Sequence, residues 1–199
     1  MLPSHPLAFV RQAFADESFH EADRAGGFYV LAASVFDAAA YEVVRAAMIE
    51  LRGKHAGKLH WNRMDAQEQR NAAKRLAGLD GFHVVAVGAP VPPRRQERAR
   101  AMCLTTLAVE LHSYGVTELL MESRTRQLNQ RDVRTVAGVR QRLLPRDAEF
   151  RVDHKSGAEP LLWTADIVAG AVRARHEGNL RYHELLRDRV YEIDVVTGC

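Results

Sequence analysis

The stretch "AFADES" (residues 13–18) decides the fold, because two adjacent acids, Asp16 and Glu17, follow a small, apolar beginning. A second apolar stretch, "GGFYVLAASVF" (26–36), comes next, and its β-branched and aromatic residues are typical of a buried strand. We expect residues 10–16 to form a short strand that ends at Asp16. Since burying a carboxylate without a partner costs free energy, an acid at this position needs a physical reason.

Composition limits the classes of protein to consider. The chain has 199 residues, 47% of them hydrophobic, which predicts a single folded domain over residues 1–199. A formal net charge of +3 permits nucleic-acid binding but argues for it only weakly. Two cysteines, Cys103 and Cys199, lack metal-type spacing and predict a reducing, cytoplasmic setting. No apolar run approaches the roughly 18 residues of a membrane span, and "MLPSHPLAFVRQ" at the start does not resemble a secretory signal.

Hydrophobic periodicity predicts alternating strands and helices of an α/β domain. The predicted strands are 10–16, 28–36, 82–91, 117–123 and 149–154, with a further candidate at "VYEIDVV" (190–196). The predicted helices are 38–53, 65–79, 94–114, 128–144, 159–178 and a short one at 182–189. Once a helical insertion after the second strand (38–79) is set aside, the order is ribonuclease H-like. We therefore expect a mixed five-stranded sheet flanked by helices.

Three acids gain significance from this order, in which the first and fourth strands are neighbours. Asp16 ends the first strand, Glu122 ends the fourth in "LLMES", and Asp166 is a lone acid in the apolar helix "LLWTADIVAGAV". Converging carboxylates repel one another unless a cation lies between them, and Mg²⁺ or Mn²⁺ suits such oxygen ligands. Two such ions can clamp the attacking and leaving oxygens of a phosphodiester. The sequence thus predicts a catalytic metal site at these three acids.

Each acid taken alone has a simpler explanation. An acid after a strand is usually a turn residue or a helix cap. Glu122 has a nearby ion-pair partner in Arg124, and Asp166 could pair with an arginine or accept a hydrogen bond from Trp163. Successive strand residues face opposite sides of a sheet, so Glu17 is expected beside the site, although an early strand end would leave its role open.

Several short stretches, in this order, resemble the domain-of-unknown-function family 3800. They are "DES" (16–18), "FYVLAASVF" (28–36), "KLHW" (58–61) followed by Arg70, "MESR" (121–124) followed by Asp132, and "EPLLWTADIVAGAV" (159–172). The resemblance spans residues 10–178 and implies a ribonuclease H-like fold with Asp16, Glu122 and Asp166 as its active site. Many members carry glycine after "DES", where this chain has Phe19-His20-Glu21, so a different turn is expected.

The loop "GKLHW" (57–61) supplies a second group of candidates. Lys58 is suited to hold a phosphate. His60 is suited to transfer protons because its ordinary pKa lies near neutrality. Trp61 could stack on a base. The alternative is a loop that packs Trp61 on the core while Lys58 stays solvated.

Further candidates lie around the fourth strand and the long third helix. Arg124 and Asp132 either form a pair that orders the loop after Glu122, or Arg124 contacts a phosphate. Glu97 lies where this fold often carries an acid, yet its arginine neighbours favour a solvated face. Two other sets stay open, namely arginines that could follow a nucleic-acid backbone (Arg94, Arg95, Arg98 and Arg100) and neighbours of the site (Asp153 and His154).

The leading hypothesis is a nuclease or related phosphoryl-transfer enzyme that depends on Mg²⁺ or Mn²⁺ and acts on RNA or DNA. The alternative is a non-catalytic binding or assembly protein of a mobile or defence element that retains the fold. Acids gathered around an ion favour the enzyme, and acids tied up by Arg124 or another cation favour the binding protein. The sequence lacks a phosphate-cradling glycine loop, a zinc-spaced cysteine pair and a nucleophile elbow. The apolar segments 101–111 and 161–172 could be buried in the core or in a homo-oligomer.

Overall fold

Six strands form one mixed sheet in the computed structural model, which describes residues 11–21, 26–54 and 57–198. The order across the sheet is β5-β4-β1-β2-β3-β6. The strands are β1 Gln12–His20, β2 Gly27–Phe36, β3 Gly81–Val91, β4 Glu118–Glu122, β5 Arg151–Lys155 and β6 Val190–Val196. Residue 10, at the predicted start of the first strand, and Cys199 lie outside the described residues.

The centre of the sheet has the predicted arrangement. β1 pairs with β4 in parallel and with β2 in antiparallel orientation, and β3 and β5 continue the sheet outward. The prediction of five strands was one too few, because the candidate at 190–196 forms β6, which pairs in parallel with β3. Only part of β6 is buried, as expected of an edge strand. Its sequence therefore alternates less clearly between apolar and polar residues than that of a strand with one fully buried face.

The helices lie close to their predicted positions. They are α1 Tyr41–Arg52, α2 Ala66–Ala77, α3 Gln96–Ser113, α4 Arg126–Arg142, α5 Pro160–His176 and the short α6 His183–Leu186. Local chemistry explains two of the starts. A capping box between Asp65 and Glu68 begins α2, and α5 begins with Pro160 after Glu159, whose side chain accepts a hydrogen bond from Leu161 N–H. The helical insertion after the second strand is therefore present as α1 and α2.

The sheet separates two hydrophobic cores. On one face, α1, α2 and α5 pack on strand residues that include Phe14 and Leu120, and on the other, α3 and α4 pack on residues that include Ala15 and Met121. Residues 161–172 of α5 are all buried within this chain, so the core accounts for their apolar character. Within the described residues, no helix has the length and apolar character needed to cross a membrane.

The first strand is longer than predicted. β1 runs through Asp16 to His20, and its last residues, Phe19 and His20, pair with Tyr29 and Phe28 of β2. The cluster "DES" looks like the end of a strand because acids and serine are common in turns. Here the hairpin pairing overrides that preference, and Asp16 lies inside the sheet.

A glycine of α5 docks the insertion against the rest of the fold. Trp61, in a short 3₁₀ turn (Trp61–Arg63), is buried, and a Cβ atom at Gly170 would lie only 2.2 Å from its ring. The ring also packs edge-on against Tyr182, with 5.1 Å between centroids. Of the two alternatives for Trp61, packing on the core is therefore correct and stacking on a base is excluded, because the ring is enclosed.

We predict that Gly170→Ala lowers the free energy of unfolding by about 1–3 kcal/mol, the usual cost of overpacking a core. Urea titration followed by circular dichroism measures this change. Gly138→Ala in α4 is the matched control, because its Cβ would approach only the end of the Arg142 side chain. Alanine favours helices over glycine, so the control should be neutral or stabilising by up to about 1 kcal/mol. Equal effects of the two substitutions would contradict the docking role of Gly170.

Candidate active site

Asp16 and Glu17 enter two different environments, because consecutive strand residues point to opposite faces of a sheet. On the α5 face, Asp16 interacts electrostatically with Asp166 and Lys58. On the α3 face, a Glu17 carboxylate oxygen lies 2.7 Å from the Arg100 guanidinium. Glu17 is thus beside the site, as the alternation of strand residues predicted, and its charge is already paired.

Asp16 is nearly buried, and its charged form costs free energy there. Only 8% of it is exposed, and its Oδ1 accepts a hydrogen bond from the Glu17 backbone N–H at 2.8 Å. Burial, together with the negative charges of Glu17 and Asp166, raises the pKa of Asp16 well above its ordinary value. The hydrogen bond and the Lys58 ammonium oppose this rise. A buried acid with a perturbed pKa beside other acids is typical of a functional site.

Asp166 holds the insertion loop in place. It is 6% exposed, and its Oδ2 accepts a hydrogen bond from the Trp61 backbone N–H at 2.6 Å. His60 Nδ1 lies 3.2 Å from the same carboxylate, within hydrogen-bonding distance. The alternative partner, Trp163, instead donates its Nε1–H to the Gly157 carbonyl at 2.8 Å.

Lys58 connects the acids electrostatically. Its Nζ lies 2.5 Å from Glu122 Oε2, at the end of β4. Burial opposes the charge of Lys58, but the hydrogen bond to Glu122 and the charges of Glu122, Asp16 and Asp166 raise its pKa. All three predicted acids therefore act on one ammonium group.

Gly157 makes room for the Glu122 carboxylate. A Cβ atom at this position would lie 2.5 Å from Glu122 Oε1, and any side chain there would push the carboxylate away. The loop after β5 thus helps to set the direction of Glu122. Its expected partner Arg124 instead binds Glu97 and Asp132, so the Glu122–Arg124 ion pair is not formed.

The three acids have the chemistry of ligands for a hard divalent cation, but their side chains are not yet close enough together to bind one. Asp16, Glu122 and Asp166 offer carboxylate oxygens, which Mg²⁺ and Mn²⁺ prefer. Across the described ranges, no group of three or more His, Cys, Asp or Glu side chains is close enough together to hold a metal ion. The positive charge shared by the three acids is that of Lys58. A metal would have to compete with this ammonium for Glu122.

A buried ionic network lies on the opposite face of the sheet. Arg100, only 1% exposed, donates to Asp132 at 2.9 and 3.0 Å and to the Tyr29 hydroxyl at 3.0 Å, besides its pair with Glu17. Arg124 also binds Asp132, which is the pair that the sequence suggested. Burial opposes the charge of Asp132, yet hydrogen bonds with His154 and Arg100 and the guanidinium charges of Arg100 and Arg124 lower its pKa strongly. The network ties β1 to α3 and α4.

Two possibilities that the sequence left open are not realised. Arg100 cannot follow a nucleic-acid backbone, because it is enclosed in the network. Its role was visible in the helical spacing, since it continues the buried stripe of α3 formed by Cys103, Leu104 and Leu107. His154 contacts Asp132 at 3.1 Å, and the exposed Asp153 pairs with Lys155 at 2.9 Å, so neither interacts with the three acids.

Comparisons with known proteins define the fold. No protein-family model and no curated protein matches this chain. The structure of the PCNA–RNase HII complex from Archaeoglobus fulgidus aligns with 90% of this chain and 88% of its matched chain, at 15% identity and a TM-score of 0.53. Ribonuclease H2 from Pyrococcus horikoshii OT3 aligns over 86% and 76%, at 16% identity and a TM-score of 0.48. Bst-RNase HIII in complex with Mn²⁺ aligns over 88% and 58%, at 15% identity and a TM-score of 0.43. The chain has a ribonuclease H-like α/β fold.

The environment of Asp16 predicts a measurable pH dependence in metal-free protein. Because its pKa is raised on folding, its contribution to stability is full below the ordinary carboxyl pKa and is lost as pH rises through the folded-state value. Asp16→Asn removes this loss. At neutral pH the variant should be more stable than the wild type by about 1 kcal/mol, the usual size of a single-residue effect.

Thermal unfolding in chelator from pH 3 to pH 8 tests this expectation. Asp153→Asn is the control, because Asp153 is exposed and its pKa is lowered by its hydrogen bond with Lys155. That substitution should not stabilise the protein at neutral pH. A wild type that gains stability relative to Asp16→Asn as the pH rises would show that the Asp16 charge is well accommodated.

Proposed function

We propose that the chain is a divalent-metal-dependent nuclease or related phosphoryl-transfer enzyme, with Asp16, Glu122 and Asp166 as the residues that hold Mg²⁺ or Mn²⁺. One observation carries the proposal. Three carboxylates act on one shared cation, the Lys58 ammonium, and they come from the middle of β1, the end of β4 and α5. The pKa of the buried Asp16 is raised because the Lys58 charge offsets only part of the effect of burial and of the nearby negative charges. A divalent cation offsets more of this negative charge than one ammonium group does.

Each residue around the acids has a proposed task. Asp16, Glu122 and Asp166 would hold Mg²⁺ or Mn²⁺, which would supply a Lewis acid for the charge developing on a phosphodiester as water attacks it. Asp166 keeps its orientation through the Trp61 backbone N–H. Lys58 leaves Glu122 and contacts a phosphate oxygen of the substrate. His60, held at Nδ1 by Asp166, would accept at Nε2 the proton that the attacking water loses.

The comparisons and the resemblance to family 3800 support this proposal without deciding it. The structural neighbour from Archaeoglobus fulgidus is a ribonuclease bound to PCNA, and a nucleic-acid substrate for the present chain extends that likeness from fold to function. Membership of family 3800, which rests on the short motifs, stays a prediction. Homo-oligomer formation and the cytoplasmic location also stay predictions.

A second candidate function is a non-catalytic nucleic-acid-binding or assembly protein. The Lys58–Glu122 ion pair favours it, because a lysine that neutralises the acids removes the need for a metal. The two functions differ in whether the divalent ion displaces Lys58. The same substitutions therefore test both.

We predict that wild-type protein binds Mn²⁺ in calorimetry and cleaves labelled single- or double-stranded oligonucleotides only when Mn²⁺ or Mg²⁺ is present. Cleavage should fall by more than about 100-fold in each of Asp16→Asn, Glu122→Gln and Asp166→Asn. Losing a residue that only supports a metal ligand costs up to about 100-fold, and losing a ligand itself should cost more. Gly157→Ala should weaken Mn²⁺ binding with little change in stability, because it displaces only the Glu122 carboxylate.

Asp153→Asn again provides the matched control, since it removes an acid one strand away that is paired with Lys155. It should keep wild-type metal affinity and cleavage. Folded wild-type protein that binds neither ion, with or without a non-cleavable oligonucleotide, would overturn the enzyme and favour the binding protein. Cleavage that survives in all three acid variants would place the active site elsewhere.

A further inference from the structure

A pocket of about 290 Å³ lies within the helical insertion, between α1, α2 and the loop that joins them. Its apolar wall comes from Leu51, Leu59, Met64 and Ala72. Its polar groups are Glu50, Arg63, Glu68 and Asn71, together with Lys58 and His60. This mixture of apolar walls and a few polar groups is typical of a small-molecule site.

The pocket adjoins the three acids through two shared residues. Lys58 lines the pocket and binds Glu122, and His60 lines the pocket and contacts Asp166. The acids and the pocket lie on the same face of the sheet, since α1, α2 and α5 share one core. A ligand in the pocket would therefore lie next to whatever the acids hold.

The chemistry of the walls fits an aromatic heterocycle. A methionine sulfur makes favourable contacts with aromatic rings, and Met64 is partly buried in the wall. Asn71 is oriented by a hydrogen bond from Gln67 Nε2 to its Oδ1 at 2.9 Å, which leaves its amide nitrogen as a donor for a ligand. An unstacked nucleobase is recognised by stacking on a planar group, such as the Arg63 guanidinium at this pocket, and by hydrogen bonds to its edge.

Positive charge follows the groove beyond the pocket. A neighbouring depression shares Glu50, Leu51 and Asn71 with the pocket and extends to Lys74 and Arg75 of α2, where Arg75 pairs with Glu50 at 3.2 Å. Arg63 stands at the pocket itself and is exposed. Phosphates on either side of a bound base would meet these cations.

We propose that the pocket binds one nucleobase of a single-stranded nucleic acid, whose adjacent phosphodiester lies at Asp16, Glu122 and Asp166. This inference rests on the proposed function for the identity of the substrate. A paired base cannot enter the pocket without leaving its duplex, so the substrate is a single strand or a strand end. The insertion then selects the substrate, while the acids act on its backbone.

Binding of adenosine 5′-monophosphate to the full chain, measured by calorimetry in chelator, tests the pocket independently of metal and cleavage. Asn71→Trp fills the pocket from an exposed helix position and should weaken binding by at least about fivefold, the lower end for loss of one stacked base. Val133→Trp places the same side chain at an exposed position of α4, on the opposite face of the sheet, and should leave the affinity unchanged. Ribose 5-phosphate should bind more weakly than the nucleotide.

The outcomes separate this inference from the proposed function. Nucleotide binding that is lost in Asn71→Trp supports the pocket even if no cleavage is found. Equal affinity of wild type and Asn71→Trp, equal affinity for ribose 5-phosphate, or no nucleotide binding would each overturn it. Metal-dependent cleavage at the wild-type rate in Asn71→Trp would support the proposed nuclease function and would contradict base binding in the pocket.

Discussion

The alternation of side chains along β1 is the constraint on which the site depends. It sends Asp16 to one face of the sheet and Glu17 to the other, so two adjacent acids never share a counter-charge. Glu17 is neutralised by Arg100, whose guanidinium also binds Asp132 and so fastens β1 to α3 and α4. With that face fixed, Asp16 is held in a buried position near Asp166, where its charge costs free energy. The buried network thus supports the site without belonging to it.

The helical insertion completes the acid-bearing face. Trp61 packs against Gly170 of α5, and its backbone N–H binds Asp166 four residues earlier in the same helix. This docking brings Lys58 and His60 to the acids from a loop that is distant in sequence. The insertion therefore supplies the cation that stabilises the metal-free site, and its two helices enclose the neighbouring pocket.

Much of the fold could be predicted from sequence. Long segments with a clear hydrophobic period identify the strands and helices, and their order along the chain is compatible with few sheet topologies. The end of β1 was misplaced, since local turn preference in "DES" gives way to pairing with β2, a tertiary effect. The three acids were found as lone charges at strand ends and in an apolar helix. Their shared partner Lys58 was considered as a phosphate ligand but not as their counter-ion. No local pattern reveals that contact, which depends on the docking of Trp61.

The central claim is that Asp16, Glu122 and Asp166 form a divalent-cation site in which the ion takes over the role of Lys58. Anomalous diffraction from crystals soaked with Mn²⁺ tests it most directly. We expect a manganese peak coordinated by carboxylate oxygens of these three residues, with Lys58 Nζ moved from its 2.5 Å contact with Glu122. A crystal soaked to saturation in which Lys58 still contacts Glu122 and manganese binds elsewhere would contradict the account.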